Sequence, residues 1–429
     1  MPSSFDKFVL LLFLCLSVGS FGPVDLRSGE LRADDPTASS PPLKFDETPR
    51  EKSAREQMVK EYIAREGITH PGVLEAFRTV PRHLFVRDNL KRLAYFDQSL
   101  PIGHSQTITP PFVVAYMTQT LDPQPTDRVL EIGTGSGFQA AILSRMVHEV
   151  YSIEIVDELA KEATQRLNKL GFTNVHTKSG DGYLGWPDKA PFDKIIVTCS
   201  PEKVPQPLVD QLNDGGKLLI PLGERYQQTF YLFEKQNGEL KQTKLIPTLF
   251  VPMTGASESE RTVLPDPSNP GIINGGFEET QEVDQVLQPL GWHYLRQVHV
   301  LSAMPPEGKN FVRILNQDAG RFAQMLQAMP LDGRKIQAVR IDLWVRGENL
   351  KRGPSRYEVP AISLHLFDEQ RKMLSASANH AWEGTFSWKA DHVDVKIPPN
   401  AREAILYIGV NGGVGTLDVD GVTLKGIPR

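Results

Sequence analysis

Apolar residues fill Val129-Leu130-Glu131-Ile132 almost without a break, yield to Gly133-Thr134-Gly135-Ser136-Gly137, and resume in Phe138-Gln139-Ala140-Ala141-Ile142-Leu143. A short apolar run bounded by glycine predicts a strand buried on both faces, and the apolar stretch beyond the turn predicts the first turns of a helix. His148-Glu149-Val150-Tyr151-Ser152-Ile153-Glu154 is the next strand and carries Glu154 to its carboxyl end. Upstream, Glu51 to Glu66 reads as an amphipathic helix stopped by Gly67, and Pro71 to Phe77 begins another. Strands alternating with helices give an α/β domain with a mostly parallel sheet. Past Pro265 the period shortens. Runs such as Ile341, Leu343 and Val345, alternating with Asp342, Trp344 and Arg346 and spaced by turns, predict an all-β sandwich.

With 429 residues and 40% hydrophobic content there is material for two or three packed domains. The net charge of −5, with no basic block interleaved with aromatics, gives no support to a nucleic-acid partner. Lys7 followed by Phe8 to Val18 and then by Gly19 and Ser20 has the layout of a secretory signal peptide, with Val18-x-Ser20 or Leu31-x-Ala33 as cleavage sites; an uncleaved anchor, or a true start at Met58, is the alternative. Cleavage would leave Cys199 as the one cysteine, excluding an internal disulfide, and a zinc site lacks ligands. No metal is expected. The expected layout is a signal-like segment over 1–33, a disordered linker over 34–50, a catalytic domain over 51–258, a linker over 259–269 and an appended β-sandwich over 270–429.

The glycine spacing selects the ligand. A dinucleotide fingerprint would need a glycine at 138, where Phe138 stands. G-x-G-x-G instead resembles motif I of S-adenosylmethionine-dependent methyltransferases, and Glu154 follows the first glycine by about 20 residues, where a ribose acceptor belongs. The plainer reading of Glu154 is a strand-end or N-cap carboxylate before Asp157-Glu158-Leu159. Further motifs agree: Val80-Pro81-Arg82-His83-Leu84-Phe85-Val86, Leu100-Pro101-Ile102-Gly103, Gln106-Thr107-Ile108-Thr109, Gly180-Asp181-Gly182, Ala190-Pro191-Phe192-Asp193 and Val251-Pro252-Met253-Thr254. Over roughly residues 50 to 256 the chain is similar to the protein-L-isoaspartate O-methyltransferases.

That resemblance implies a Rossmann-like domain that transfers a methyl group from S-adenosylmethionine to the free carboxylate of L-isoaspartyl residues in damaged proteins, and so starts their repair. The ester then collapses to a succinimide whose hydrolysis returns some normal aspartate. It implies that Gly133, Thr134, Gly135 and Gly137 approach the cofactor, that Glu154 takes the ribose, and that Asp181 with Gly182 takes the adenine. Gln106, Thr107 and Ile108 would form the substrate wall with Thr254 opposite, and Thr109, where the family carries serine, would be the active-site hydroxyl. Thr109 before Pro110 is also a natural helix N-cap. His104 and Cys199 read as packing or loop residues. Two other readings are a small-molecule methyltransferase of the same fold and an exported binding protein with a vestigial catalytic domain.

The C-terminal region, through Asn274-Gly275-Gly276-Phe277-Glu278, Gly291-Trp292 and Gly415-Thr416-Leu417-Asp418-Val419-Asp420, resembles the jelly roll of carbohydrate-binding modules of families 4 and 9. A carbohydrate or surface partner is implied, with Trp344 either stacking on a sugar or packing beneath a neighbouring strand. Glu278 and Asp420 would lie near a structural calcium or be surface carboxylates. The N-terminal segment implies export to the periplasm or cell envelope; the methyl donor, which is made in the cytoplasm, implies the opposite.

Overall fold

A computed structural model describes residues 45–283, 285–375 and 379–429. The signal-like segment and most of the linker expected over 34–50 lie outside these residues. From Phe45 onward the chain is packed, because Phe45 stacks on Phe172 and Glu47 pairs with Arg55 at 2.8 Å. Helix α1 (Pro49–Met58) therefore starts earlier than expected, on a Thr48/Glu51 capping box with proline at its first turn. It continues through a π-helical and a 3₁₀ turn to Gly67, whose φ of 98° ends it.

Next come α2 (Pro71–Thr79), the hairpin β1 (Leu100–Gly103) and β2 (Gln106–Ile108), and α3 (Pro111–Leu121). The seven-stranded sheet follows: β3 (Arg128–Ile132), β4 (Glu149–Glu154), β5 (Val175–Ser179), β6 (Phe192–Val197), β7 (Leu212–Glu224), β8 (Gln227–Gln236) and β9 (Glu239–Thr248). Its order is β5-β4-β3-β6-β7-β8-β9, parallel from β5 to β7 and antiparallel beyond. Helix α4 (Phe138–Leu143) follows β3, α5 (Asp157–Lys169) follows β4, and α6 (Gln206–Asp210) precedes β7. Successive apolar residues feed opposite faces: Val129, Ile196 and Leu219 enter one core, Leu130, Ile195 and Leu218 the other. This explains the unbroken apolar runs. Strand order reverses between β3 and β6, so a crevice opens at their carboxyl ends.

The C-terminal half is a two-layer antiparallel sandwich. One sheet holds five strands, among them Ile336–Lys351 and Val414–Pro428; the other holds six, among them His293–Arg296, Gln324–Pro330, Ala361–Phe367 and Glu403–Gly409. Phe277 and Trp292 are fully buried between the sheets, with the Trp292 indole donating to the Asn274 carbonyl.

The two halves are interlocked rather than strung together. Residues expected as a linker over 259–269 form a strap: Arg261, 8% exposed, donates to the Ser200 carbonyl and pairs with Glu258, while Glu202 accepts from the amides of Thr262 and Val263. Arg321 meets Glu66 at 2.7 Å, Arg65 meets Asp318, and the Tyr294 hydroxyl donates to Asp97. The Arg296 guanidinium lies 3.5 Å from the Phe112 ring centroid and 3.3 Å from Asp97. Among the described residues no helix is long and apolar enough to cross a membrane.

Candidate functional site

The crevice between β3 and β6 is built by the glycine turn. Gly133 has φ +100° and Gly135 has φ +53°, conformations that side chains resist. A Cβ at Gly133 would stand 2.4 Å from the Thr198 Oγ1, so this glycine is required by the neighbouring strand end as much as by any ligand. The amides of Gly133 and Thr134 both donate to the Ile153 carbonyl, which ties the turn to β4. Gly137 enters α4 with φ +86° and packs its bare Cα on Leu167.

Glu154 closes the far side. Its Oε2 accepts from the Gly135 amide at 2.7 Å and its Oε1 from the Val156 amide at 3.0 Å. Burial raises its pKa against those two amides, which lower it. Each oxygen keeps a lone pair, so the carboxylate can accept from two vicinal hydroxyls. Beneath it Glu131 is fully buried, and burial pushes its pKa up to about 8 although Ser152 donates to it. Burial thus favours its neutral form, which limits the negative charge in the floor.

The crevice is lined by Gln106, Thr107, Ile108, Thr109, Gly133, Thr134, Gly135, Glu154, Gly182 and Thr254, together with apolar Ile132, Ile153, Val251 and Met253. All but two of the residues expected at the site thus converge. Gly137 does not line it. Nor does Asp181, whose Oδ1 accepts from the Tyr183 amide and whose Oδ2 accepts from the Ala256 amide, both at 2.9 Å. It fastens the segment after Thr254 to the turn at Gly182.

Thr109 is not a helix cap. Pro110 holds the N-cap position of α3, no side chain caps from it, and the Phe112 amide donates instead to Asp97 Oδ1 at 2.9 Å. Thr109 lines two cavities at once, the crevice and a second, larger cleft of about 1070 Å³; Thr107, Thr198 and Val251 share that boundary. His104 and Ser105 make the β1–β2 turn with φ 51° and 59°, which aims Gln106 to Thr109 at the boundary.

Several residues at the site carried no assignment. Thr198 directly follows β6 at the switch point, and strand-end position was the available signal. Asp97 had none, because its partners Tyr294 and Arg296 lie about 200 positions away. Cys199, read as a packing or loop residue, lines the crevice, and burial raises its pKa, keeping it a thiol.

In the sandwich, Trp344 is half-buried with its Nε1 donating to Glu307 at 2.9 Å. Glu278 accepts from the amides of Lys309 and Asn310, and Asp420 from those of Glu307 and Gly421. Among the described residues no three His, Cys, Asp or Glu side chains gather as metal ligands.

Comparison with known proteins places residues 53–258 in the family described as protein-L-isoaspartate(D-aspartate) O-methyltransferase. A protein-L-isoaspartate O-methyltransferase of Gloeobacter violaceus is 51% identical over 189 residues, 44% of this chain and 92% of the relative. One from Opitutus terrae is 52% identical over 182 residues, 42% of this chain and 78% of the relative. Among solved structures, a protein-L-isoaspartate O-methyltransferase is 29% identical with a TM-score of 0.45, covering 47% of this chain and 67% of that one. A Plasmodium falciparum structure, titled a putative member in complex with S-adenosyl-L-homocysteine, is 25% identical with a TM-score of 0.42, covering 48% and 98%.

Proposed function

The chain belongs to the protein-L-isoaspartate O-methyltransferase family, and from that membership we infer how its own residues carry out the family's reaction. It is an S-adenosylmethionine-dependent protein carboxyl O-methyltransferase acting on proteins that contain isoaspartyl residues, and it begins their repair. The donor set suits that cofactor: a buried carboxylate with two lone pairs free for ribose hydroxyls, a glycine turn, and an apolar floor. Bound there, S-adenosylmethionine supplies an electrophilic methyl group on a sulfonium.

We assign Glu154 to the ribose, Gly133, Thr134 and Gly135 to the close backbone approach, and Gly182 to the adenine edge. Gly137 sets the entry to α4. Asp181, which does not line the crevice, keeps one lone pair on each oxygen while it holds Tyr183 and Ala256, and its part in adenine binding would require those spare lone pairs to be reached from beside Gly182. Gln106, Thr107, Ile108 and Thr254 position the substrate. An α-carboxylate is already ionised at neutral pH, so its oxygen can form the new C–O bond as the C–S bond breaks, and no general base is needed. Alignment and exclusion of water carry the catalysis.

The observation that carries this reading is Thr109, which lines both the cofactor crevice and the larger cleft. Its hydroxyl is free of capping duty, and we assign it the role of donor to the substrate carboxylate. Thr109→Val is expected to lower turnover of an isoaspartyl peptide roughly 10- to 100-fold, the worth of a hydrogen bond to a charged group, with Thr109→Ser near wild type. Melting temperature should hardly move in either. Wild-type turnover in Thr109→Val would remove the hydroxyl from the mechanism.

For the sandwich we propose the domain range 270–429, following a catalytic range of 51–258. A carbohydrate or surface partner would meet the five-stranded sheet near Trp344, whose indole is partly open. We propose export to the periplasm or cell envelope on the layout of residues 1–33, with the cytoplasm as the alternative; N-terminal sequencing of protein from its native cells separates the two.

A further inference from the structure

We propose that the six-stranded sheet of the sandwich is the second wall of the polypeptide-binding site, and that the cleft it forms with the catalytic domain takes an extended segment whose apolar and aromatic side chains flank the isoaspartyl residue. This rests on the methyltransferase reading above. It reassigns the C-terminal half from an appended module to a part of the substrate site.

Alternation along the strands shows which way this sheet faces. In Ala361–Phe367, Ile362, Leu364 and Leu366 enter the sandwich core, while Ala361, Ser363, His365 and Phe367 line the cleft. In Glu403–Gly409, Ala404, Leu406 and Ile408 go to the core, and Glu403, Ile405 and Tyr407 to the cleft. The cleft face mixes Ala361, Phe367, Ile405 and Tyr407 with Ser363, His365 and Glu403, and its apolar part has to be covered. Here one face covers the sandwich interior and the other covers the cleft. Opposite stand Phe112, Tyr116 and Phe230 of the catalytic domain.

The rim of the cleft points to the same occupant. Leu93 and Phe96 from the catalytic side, and Tyr357 and Met373 from the sandwich, are all exposed large apolar side chains, from 39% to 72%. Exposed apolar residues gathered from distant parts of the chain around one opening mark a docking surface. The shared lining at Thr107, Thr109, Thr198 and Val251 sets the cleft directly against the methyl-transfer crevice, so a segment held there lies next to the transfer site. At about 1070 Å³ it sits at the upper end of small-molecule pockets, far more than one aspartyl side chain requires. His365, held neutral because burial lowers its pKa to about 4, and Tyr407 pack with their rings tilted and centroids 4.5 Å apart on its sandwich wall, and both suit apolar contacts better than charged ones.

The test uses the full chain and three isoaspartyl peptides: a four-residue core, a twelve-residue peptide with Leu, Phe and Tyr flanks, and a twelve-residue peptide with Gly and Ser flanks. Wild type should prefer the apolar-flanked peptide over the other two by about tenfold or more in kcat/KM, chiefly through KM. In the double variant Tyr357→Ala/Met373→Ala, two rim positions remote from the folded core, that preference should collapse toward unity. S-adenosylmethionine binding, measured alongside, reports on the crevice alone. Equal use of the three peptides by wild type, or a preference that survives in the variant, overturns the proposal. Transfer to none of them, with the cofactor bound, would overturn the methyltransferase reading itself and this inference with it.

Discussion

Replacing Arg296 by alanine is expected to destabilise the full chain by about 3–5 kcal/mol, the usual cost of removing one member of a buried ionic cluster. Arg296 is 8% exposed, stacks on Phe112, and sits 3.3 Å from Asp97 and 3.9 Å from Glu66. Without it two carboxylates stay buried with fewer partners. Tyr294 still donates to Asp97 and Arg321 still meets Glu66, but neither replaces the stacked guanidinium. The effect should reach the active site, because Asp97 also accepts from the Phe112 amide at the start of α3, three residues after Thr109. Arg296→Lys should fall between, keeping charge but losing the planar stack. Denaturant midpoints, read beside kcat on isoaspartyl peptide, check this. A loss under about 1 kcal/mol with unchanged kcat would mean that the halves are energetically independent.

Glu154→Ala is expected to weaken S-adenosylmethionine binding by about 1.5–3 kcal/mol, a 10- to 100-fold rise in Kd, because two charge-assisted hydrogen bonds to the ribose are lost and only partly replaced by water. Glu154→Gln should be no milder. The carboxylate accepts from Gly135 and Val156, and a carboxamide would turn a donor toward one of those amides. Calorimetric titration measures both. An unchanged Kd in either variant would leave Glu154 with only its turn-holding role, the plainer reading of a strand-end carboxylate.

How far the chain alone disclosed this arrangement depended on the range of each interaction. The glycine turn and Glu154 were legible because the physics is local: one strand, one turn and the next strand end fix both between Arg128 and Glu154. The sandwich was legible from the period of Ile341, Leu343 and Val345. Thr109 was misread as a cap candidate because Pro110 and Pro111 offer two registers for the start of α3, and the one adopted is selected by Asp97, which the local sequence does not disclose. The interlock of the halves was invisible for the same reason. A composition change near Pro265 marks where the halves meet, but Arg296 on Phe112 and Tyr294 on Asp97 join positions too far apart for any pattern to record. Asp181 illustrates a subtler limit, since its motif announced a carboxylate at a strand end but not that Ala256 would occupy one of its oxygens.

The most direct measurement incubates the purified full chain with methyl-labelled S-adenosylmethionine and two peptides identical except that one carries an L-isoaspartyl residue where the other carries normal aspartate. Label should enter the isoaspartyl peptide alone, as an ester that mild base releases as methanol. Equal labelling of the aspartyl peptide, or no labelling of either by a protein that binds the cofactor, would contradict the account.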